Sequence, residues 1–549
     1  MDEGGFGPIA MAMASPQLSQ SGSRLVLAVK PSILRVLLPL LPIATFLPRS
    51  VIAQIVPDNT LPNSSIVVPD GSTFVIEGGT TAGTNLFHSF EDFSIDTDTS
   101  VFFNNDLDID RIFTRVTGDS ISNIDGLIEA NDIASLYFLN PNGIVFGPNA
   151  QLNIGGSFLA TTGESFNFAD GSEFSAVSPE SSPLLTVSLP VGIQYGADPG
   201  DIVNESMFSI PELNEMGEPI LDEMGEPIEF IVGLEVFPEN TIALVGGNID
   251  IPGGAVSTFG GNIELGSVSE NSFVGIEETE TGFTLDYSNV QNFRDIQLSN
   301  FAQVNATGEN GGNIQVQVGR LSLTDDSGII SNTLGDFDGG TIVIEAEELF
   351  ADTGGFIDTS TFGNGRGGDL SVNVSGTIDV IGTVPNSDVP SGLFAQTEGS
   401  GNAGNLSVVA QRLSILDGAE VSGSSREQAT GRGGDVSIDV NILEVVGGTP
   451  DGAFSSSLNA LANVFGESGG DGGTLNIRSQ QLSVREGGQI LVSTFGGGNS
   501  GNININSSES IVVEGGIEDP EGNFFESGIF AQVEPMTTGL GGNINITTG

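Results

Sequence analysis

The sequence predicts an all-β protein that folds as a parallel β-helix, a solenoid with about 28 residues per coil and inserted loops. A glycine-rich turn followed by alternating apolar residues recurs nine times between Gly260 and Gly542. From one turn to the next, the second (or only) glycines are separated by 51, 28, 28, 36, 30, 39, 28 and 41 residues. Because the shortest spacing occurs three times, it is the basic unit, and the longer units contain loops.

Each unit is expected to contain three short strands. Ile314, Val316 and Val318 alternate with polar residues, which is typical of a strand with one buried side. A second strand is predicted around Leu321 and a third around Ile329. Glycine, asparagine and aspartate supply the corners between them. A β-sandwich is the alternative, although its strands would not repeat at a fixed interval.

Composition and charge exclude several functions. The 549 residues include 71 acidic and 14 basic ones, for a formal net charge of −57. Nucleic-acid binding needs clustered lysine and arginine, so it is not expected. The absence of cysteine excludes disulfides, thiol catalysis and thiolate metal sites. No cofactor is indicated.

The first 53 residues have the order of a secretory signal peptide with an N-terminal extension. Three basic residues between positions 24 and 35 precede an apolar run over 36–47, and a small residue follows at Ala53. Cleavage between Ala53 and Gln54 is the expected outcome. A transmembrane anchor is the alternative, but it needs about 20 apolar residues, and prolines interrupt this shorter run.

Residues 54–250 differ from the repeats and carry motifs of a known family. The first motif is Asn85-Leu86-Phe87-His88-Ser89-Phe90. The second contains Asn140-Pro141-Asn142-Gly143-Ile144 within residues 135–147, and a third lies at 156–162. In this order and spacing, they resemble the N-terminal secretion domain of filamentous haemagglutinin-type exoproteins, the cargo of two-partner secretion.

The resemblance implies a domain organisation and a partner. Residues 54–250 would form a capped right-handed β-helix, recognised in the periplasm by the POTRA domains of an outer-membrane β-barrel transporter. Residues 251–549 would form a β-helical shaft. A second family motif, Asn-Pro-Asn-Leu, has no counterpart that we can place. The residues from Asn140 to Ile144 could stabilise a turn, contact the transporter, or do both.

Candidate catalytic and metal-binding residues are few. Asp325-Asp326 is the only adjacent aspartate pair in the repeats, and it is predicted to occupy a solvated corner. His88 has no serine or cysteine nucleophile to serve, so we expect a packed or capping histidine. Residues 363–369 are similar to calcium-binding nonapeptides, but the repeat of about 28 does not match a period of nine. We predict neither a catalytic nor a metal site.

The sequence therefore favours a secreted, non-enzymatic surface protein acting as an adhesin or extracellular scaffold, with a glycan or protein ligand. A β-helical polysaccharide-active enzyme and a haemolysin of the same export class are the alternatives. An acidic eight-residue duplication within residues 215–228 is interpreted as an exposed insertion. Since the last repeat ends one strand into a coil, we expect the chain to be a fragment of a longer product.

Overall fold

The computed structural model describes residues 55–179, 186–211, 229–279, 281–385, 387, 389–427, 429–449, 451–452, 454–464, 469–518, 522, 524–533 and 537–549. The predicted signal peptide of residues 1–53, its cleavage site at Ala53 and Gln54, and the duplication within 215–228 lie outside these residues. In the part described, the regular structure consists of β-strands without an α-helix. No helix there is long and apolar enough to cross a membrane.

The N-terminal strands form the first coils and the edge before them. They are β1 (Ile55–Pro57), β2 (Ser65–Asp70), β3 (Thr73–Gly78), β4 (Thr80–Ala82), β5 (Asn85–Phe93), β6 (Ser100–Phe103), β7 (Arg111–Val116), β8 (Ser122–Ile124), β9 (Leu127–Ala130), β10 (Ser135–Leu139), β11 (Ile144–Phe146), β12 (Gln151–Asn153) and β13 (Phe158–Thr161).

The next strands include an antiparallel sheet that branches from the coils. They are β14 (Ser165–Phe168), β15 (Glu173–Ser175), β16 (Pro190–Gln194), β17 (Ile202–Asn204), β18 (Ser209–Pro211), β19 (Glu229–Ile231), β20 (Leu234–Val236), β21 (Thr241–Gly246), β22 (Ile249–Pro252), β23 (Ala255–Thr258), β24 (Asn262–Ser267), β25 (Phe273–Thr279) and β26 (Gly282–Asp286).

The remaining strands form the repeats. They are β27 (Ile296–Ser299), β28 (Gln303–Asn305), β29 (Asn313–Leu323), β30 (Gly328–Ile330), β31 (Ile342–Asp352), β32 (Phe356–Asp358), β33 (Leu370–Val374), β34 (Thr377–Ile381), β35 (Gly392–Phe394), β36 (Leu406–Leu416), β37 (Glu420–Ser422), β38 (Ser425–Glu427), β39 (Val436–Val446), β40 (Ser457–Asn459), β41 (Ala462–Val464), β42 (Leu475–Arg485), β43 (Gln489–Leu491), β44 (Ile503–Glu514), β45 (Gly516–Glu518), β46 (Phe524–Glu526), β47 (Gly528–Phe530) and β48 (Ile544–Thr548).

The parallel β-helix is confirmed by how these strands pair. The coils contribute strand segments to three faces, and on each face a segment pairs in parallel with its equivalent in the next coil, except between β12 and β20, where the third-face sheet is interrupted. Along the first face, Ile263 pairs with Ile314, Ile314 with Ile342, and Ile342 with Leu370. From Ile263 to Ile544, the register steps are 51, 28, 28, 36, 30, 39, 28 and 41 residues. They are the spacings predicted from the glycine turns.

Two details differ from the predicted repeat. The first coils are shorter than those of the repeats: Leu86, Ile112, Leu136 and Phe158 follow one another after 26, 24 and 22 residues. The first two predicted strands of a repeat are often one continuous strand, as in β29, which runs through Gly319 without a break. A break occurs between β33 and β34, where Gly376 is the last residue of the corner.

Two separate apolar cores hold the structure together. The inner core is a column of stacked aliphatic and aromatic side chains inside the coils, from Ile55 to Ile505. The outer core lies between the first face of the early coils and the antiparallel sheet β15-β14-β16-β25-β26, called here the covering sheet. The inner core passes the predicted domain boundary at residue 250 without interruption, and that boundary stays a prediction.

Side-chain hydroxyls close the glycine-rich corners of the repeats. The Thr361 hydroxyl donates to the Gly365 carbonyl (3.0 Å), and Thr397 repeats this bond one coil later with Gly401 (2.6 Å). A Cβ at Gly368 would collide with the Gly340 carbonyl of the preceding coil. The corner therefore needs glycine because the backbones of neighbouring coils approach too closely for a side chain.

Candidate functional site in the N-terminal coils

The corner at Asn140 joins β10 to β11 and is built around a buried amide. The Gly143 N–H donates to the Asn140 carbonyl (3.2 Å), which closes a four-residue turn. The Asn140 Oδ1 accepts the Asn142 N–H (3.0 Å), as in an Asx turn. The Asn140 Nδ2 donates to the Ser120 carbonyl (3.0 Å) and the Ser122 hydroxyl (2.9 Å). One side chain thus fixes its own turn and ties it to the previous coil.

Little of this corner faces solvent. Asn140 and Ile144 are fully buried, Pro141 is half-buried and Asn142 is exposed. Gly143 has φ +126°, a conformation that favours glycine. The arrangement stabilises the fold, and any partner that approaches the corner meets Pro141 and Asn142.

The motif from Asn85 to Phe90 forms most of β5, and its side chains alternate between the two cores. Leu86 and Phe90 enter the inner core, while Phe87 enters the outer core and stacks on Phe113 with ring centroids 5.1 Å apart. Asn85 donates from Nδ2 to the carbonyls of Thr186 (3.1 Å) and Ser188 (2.9 Å). This strand therefore attaches the segment before β16 to the first coil.

His88 is almost completely buried, with 1% of its surface exposed. Burial lowers the pKa of His88 to about 3. Its Nδ1 lies 3.0 Å from the Ser65 hydroxyl, and its ring packs near Phe90 and Phe103. The histidine is neutral at physiological pH and lies inside the coil, where it has no access to a substrate.

A buried polar network surrounds Arg115, and no pattern in the sequence indicates it. The guanidinium donates from Nε to the Ser89 hydroxyl (2.9 Å), from Nη1 to the Ser175 carbonyl (2.6 Å) and from Nη2 to the Thr60 hydroxyl (2.8 Å). It also lies 4.5 Å from the centroid of the Phe174 ring. These bonds join the N-terminal segment, β5, β7 and the covering sheet.

The charge of Arg115 is balanced by Asp58. Burial lowers the pKa of Arg115 to about 10, and the negative charge of Asp58 acts in the opposite direction. Burial acts to raise the pKa of Asp58, but hydroxyl donors from Ser89, Thr117 and Thr60 outweigh it and hold that pKa below its ordinary value. Both groups therefore remain charged at neutral pH, and removing Asp58 would leave the buried charge of Arg115 without its balancing carboxylate.

A second buried acid lies under the covering sheet. Glu264 on β24 is 3% exposed, and its Oε2 has no hydrogen-bond partner. Burial raises the pKa of Glu264 to about 8, although a bond from the Leu285 N–H favours the charged form. Tyr287 lies nearby with its hydroxyl also unpartnered, and burial raises its pKa well above 10. The carboxyl is protonated at neutral pH.

The repeats bring together several arginine–carboxylate pairs, and the pair of Arg426 with Glu420 has the least exposed side chains among them. Arg426 Nη2 lies 3.1 Å from Glu420 Oε1 and 3.2 Å from Oε2, and Asn459 donates to the same carboxylate (3.0 Å). Asp358 accepts from Ser360 and Asn332. Both carboxylates are occupied by hydrogen bonds. Among the described residues, no group of three or more His, Cys, Asp or Glu could hold a metal ion.

Asp325 and Asp326 occupy the corner that the sequence predicted for them. Both have positive φ, 56° and 58°, and Asp325 is exposed to solvent at the corner before β30. Hydrogen bonds link the corner to Thr353 in the next coil, through the Asp325 N–H and the Asp326 N–H. The positive φ angles and the bonds to the next coil place Asp325 and Asp326 in a corner between two strands.

Comparisons with known proteins cover the region that contains this site. Residues 53–316 match the family model described as the TPS secretion domain. The crystal structure of the HMW1 secretion domain from Haemophilus influenzae aligns with 88% of this chain and 97% of that chain, at 16% identity and a TM-score of 0.43. The search of curated proteins finds no match.

Replacing Asn140 by alanine should destabilise the protein by about 2–4 kcal/mol, because buried donors and acceptors on two coils lose their partners. Urea unfolding measures the change. Asn142→Ala is the matched control, since that exposed residue should cost about 1 kcal/mol or less. Equal losses for the two variants would contradict the assigned role of Asn140.

The free energy of unfolding should fall as pH rises from 6.5 to 7.5, by about 1.4 kcal/mol from Glu264 alone. The unfolded carboxyl is ionised in this range, whereas the folded one holds its proton until about pH 8, so folding takes up a proton. The groups facing it are Tyr287, the Leu285 N–H and Gln315 on the adjacent strand.

Glu264→Gln should remove this part of the pH dependence, measured by urea unfolding at several pH values. Glu277→Gln, an exposed acid on β25, is the control and should keep the wild-type slope. If Glu264→Gln has the same slope as the wild type, Glu264 is ionised in the folded protein and the argument fails.

Proposed function

We propose a cell-surface role for this chain. The chain is a two-partner secretion cargo protein of the filamentous haemagglutinin type, and its TPS secretion domain spans residues 53–316. Such a domain implies an outer-membrane transporter as partner and export across the outer membrane, to the cell surface or the extracellular space. Beyond this, we propose that POTRA domains of the transporter recognise the N-terminal coils in the periplasm. The repeats then act outside the cell as a non-enzymatic adhesin or scaffold for a glycan or protein ligand.

The observation that supports this proposal most is the uniform stacking of the coils after the secretion domain. Each coil contributes inward side chains such as Ile344, Val372 and Val408, all without exposed surface. Burying them stabilises each added coil by roughly 25 cal/mol per Å² of apolar surface. Because each coil contacts mainly the coils directly before and after it, the repeats can fold one after another as they emerge. This folding supplies work for export.

We propose that targeting to the transporter depends on the N-terminal coils. They carry the Arg115 network, the covering sheet and the Asn140 corner, whereas the repeats lack equivalents of these features among their described residues. We propose that Asn140 acts mainly by keeping this surface in shape, and that Pro141 and Asn142 are its accessible part. A fold defect here would therefore appear as a secretion defect.

One observation favours the alternative of a polysaccharide-active enzyme. Asp358 and Glu420 lie on the third face two coils apart, Arg426 on β38 pairs with Glu420, and burial raises the pKa of Asp358. General acid and base catalysis, however, needs a carboxyl group that can exchange a proton with the substrate. Glu420 is occupied by Arg426 and Asn459, so we propose a structural ion pair.

Deleting residues 54–250 should abolish export, whereas deleting residues 312–367 should leave it near the wild-type level. The second deletion removes two coils of the shortest length and would bring Ile263 beside Leu370 in an unchanged register. Cells producing the transporter and each variant are compared by immunoblotting of surface, medium and periplasm. Normal surface levels after the 54–250 deletion would contradict the proposal, as would loss of export after the coil deletion.

A further inference from the structure

The third face of the repeats carries a row of outward side chains in which aromatic rings enclose polar groups. Ile357 on β32 enters the inner core, so the alternate residues of this coil point outward. They are Phe356, Asp358, Ser360 and Phe362. Phe362 is 45% exposed, whereas Ser360 is only 4% exposed. The polar side chains therefore form the floor of a shallow recess with a ring at each end.

The next coil continues the recess with a glycine, a ring and an amide. Gly392, Phe394 and Gln396 lie beside the outward residues of the β32 coil. A Cβ at Gly392 would collide with the tip of the Phe394 ring, and a Cβ at Gly328 would collide with the ring of Phe356. Both rings therefore lie down across glycines of the face, and both stay half-buried.

The hexapeptide that supplies this ring and amide occurs a second time. Residues 391–396 read SGLFAQ and residues 527–532 read SGIFAQ, and β47 places the second copy on the same face. Phe530 again lies over a glycine, Gly528. Other third-face strands, such as β37, stack without phenylalanine or glutamine, so stacking does not require the hexapeptide. Its repetition indicates a role other than stacking.

Two buried amide atoms in this outward row lack hydrogen-bond partners among the described residues. Gln396 points outward because Ala395 enters the inner core, and it is 5% exposed with its Nε2 unpartnered. Asn332, at the same register two coils earlier, donates from Nδ2 to Asp358 (3.2 Å), and its Oδ1 is unpartnered. Ser360 lies between the two amides and accepts the Gln396 N–H (3.3 Å). Since buried polar atoms normally have partners, a free donor and a free acceptor in one row indicate a ligand rich in hydroxyl groups.

We propose that this recess binds a segment of a neutral glycan. A sugar ring has an apolar C–H face that packs on the face of an aromatic ring, and a rim of hydroxyls that each donate and accept. The rings of Phe356, Phe362 and Phe394 take the apolar faces of the sugars. Sugar hydroxyls complete the hydrogen bonding of Asn332 Oδ1 and Gln396 Nε2.

Charge and strand pairing disfavour other occupants. The chain has a formal net charge of −57, and Arg426, two coils after β32, is paired with Glu420 (3.1 Å), so a sulfated or uronic glycan would be repelled. Strands β30, β32, β35 and β37 each pair on both sides, so a peptide cannot add to this face as a further strand. The inference rests on the proposed adhesin role and deepens it by naming the class of ligand.

The test measures binding of the purified full chain to immobilised oligosaccharides. The neutral probes are maltohexaose, cellohexaose, mannohexaose and chitohexaose, and the acidic probes are hexagalacturonate and a heparin hexasaccharide. At least one neutral probe should bind in a saturable manner, and the acidic probes should not.

Two variants locate the binding, and a third is the control. Phe362→Ala and Gln396→Met should each weaken binding of the neutral probe about three- to ten-fold, as expected for one aromatic contact or one hydrogen bond. Because the Gln396 Nε2 has no partner in the free protein, Gln396→Met should leave the thermal unfolding temperature unchanged. Phe208→Ala removes a similarly exposed ring (37%) from the N-terminal coils and should bind like the wild type.

Three results would overturn the proposal. The first is no binding to any neutral probe, which would mean that water alone completes the two amides. The second is tighter binding of an acidic probe than of the neutral ones. The third is wild-type affinity in both Phe362→Ala and Gln396→Met, which would place the glycan elsewhere on the chain and leave the adhesin role standing. Export is measured separately with the deletions in cells, so its failure is distinguishable from failure of this site.

Discussion

The register in which one coil stacks on the next is the constraint on which the rest of this structure depends. Inward aliphatic side chains lie above their equivalents in the neighbouring coil, and the parallel backbone bonds hold them there. A strand shifted by one residue would turn every inward side chain outward. The glycine and threonine corners therefore matter because they return the chain to the same register after loops of different length.

This constraint also explains why the N-terminal coils differ from the repeats. The first coil has a free strand edge, which is a template for unwanted pairing unless something covers it. Here the antiparallel strands β1 and β4 pair with β5, and β2 pairs with β3. The Arg115 network fixes that N-terminal segment to the covering sheet. The outer core beneath the sheet gives the early coils a surface that the repeats lack among their described residues.

Most of the fold could be predicted from the sequence, because local patterns determine it. The glycine spacings predicted the register, and the alternation at Ile314, Val316 and Val318 placed those residues in the inner core. The Asx-type turn at Asn140 could be expected from residue types alone. Its bonds to Ser120 and Ser122 could not, because they depend on which residues of the previous coil lie beside the corner.

The remaining features depend on contacts between residues far apart in sequence. Arg115 bonds Ser175, 60 residues later, and Asn85 bonds Ser188, 103 residues later. Glu264 is read from the sequence as an ordinary outward acid of an alternating strand, and only the covering sheet makes it a buried one.

The most direct test of the stacking account compares two single-residue insertions by hydrogen exchange with mass spectrometry. An alanine inserted between Ile344 and Glu345 changes the register within β31, whereas a glycine inserted between Gly365 and Arg366 lengthens a corner. The account predicts that the first insertion removes amide protection from β31 and from its neighbours β29 and β33, while the second leaves the protection of all three strands unchanged. Equal protection in the two variants would contradict it.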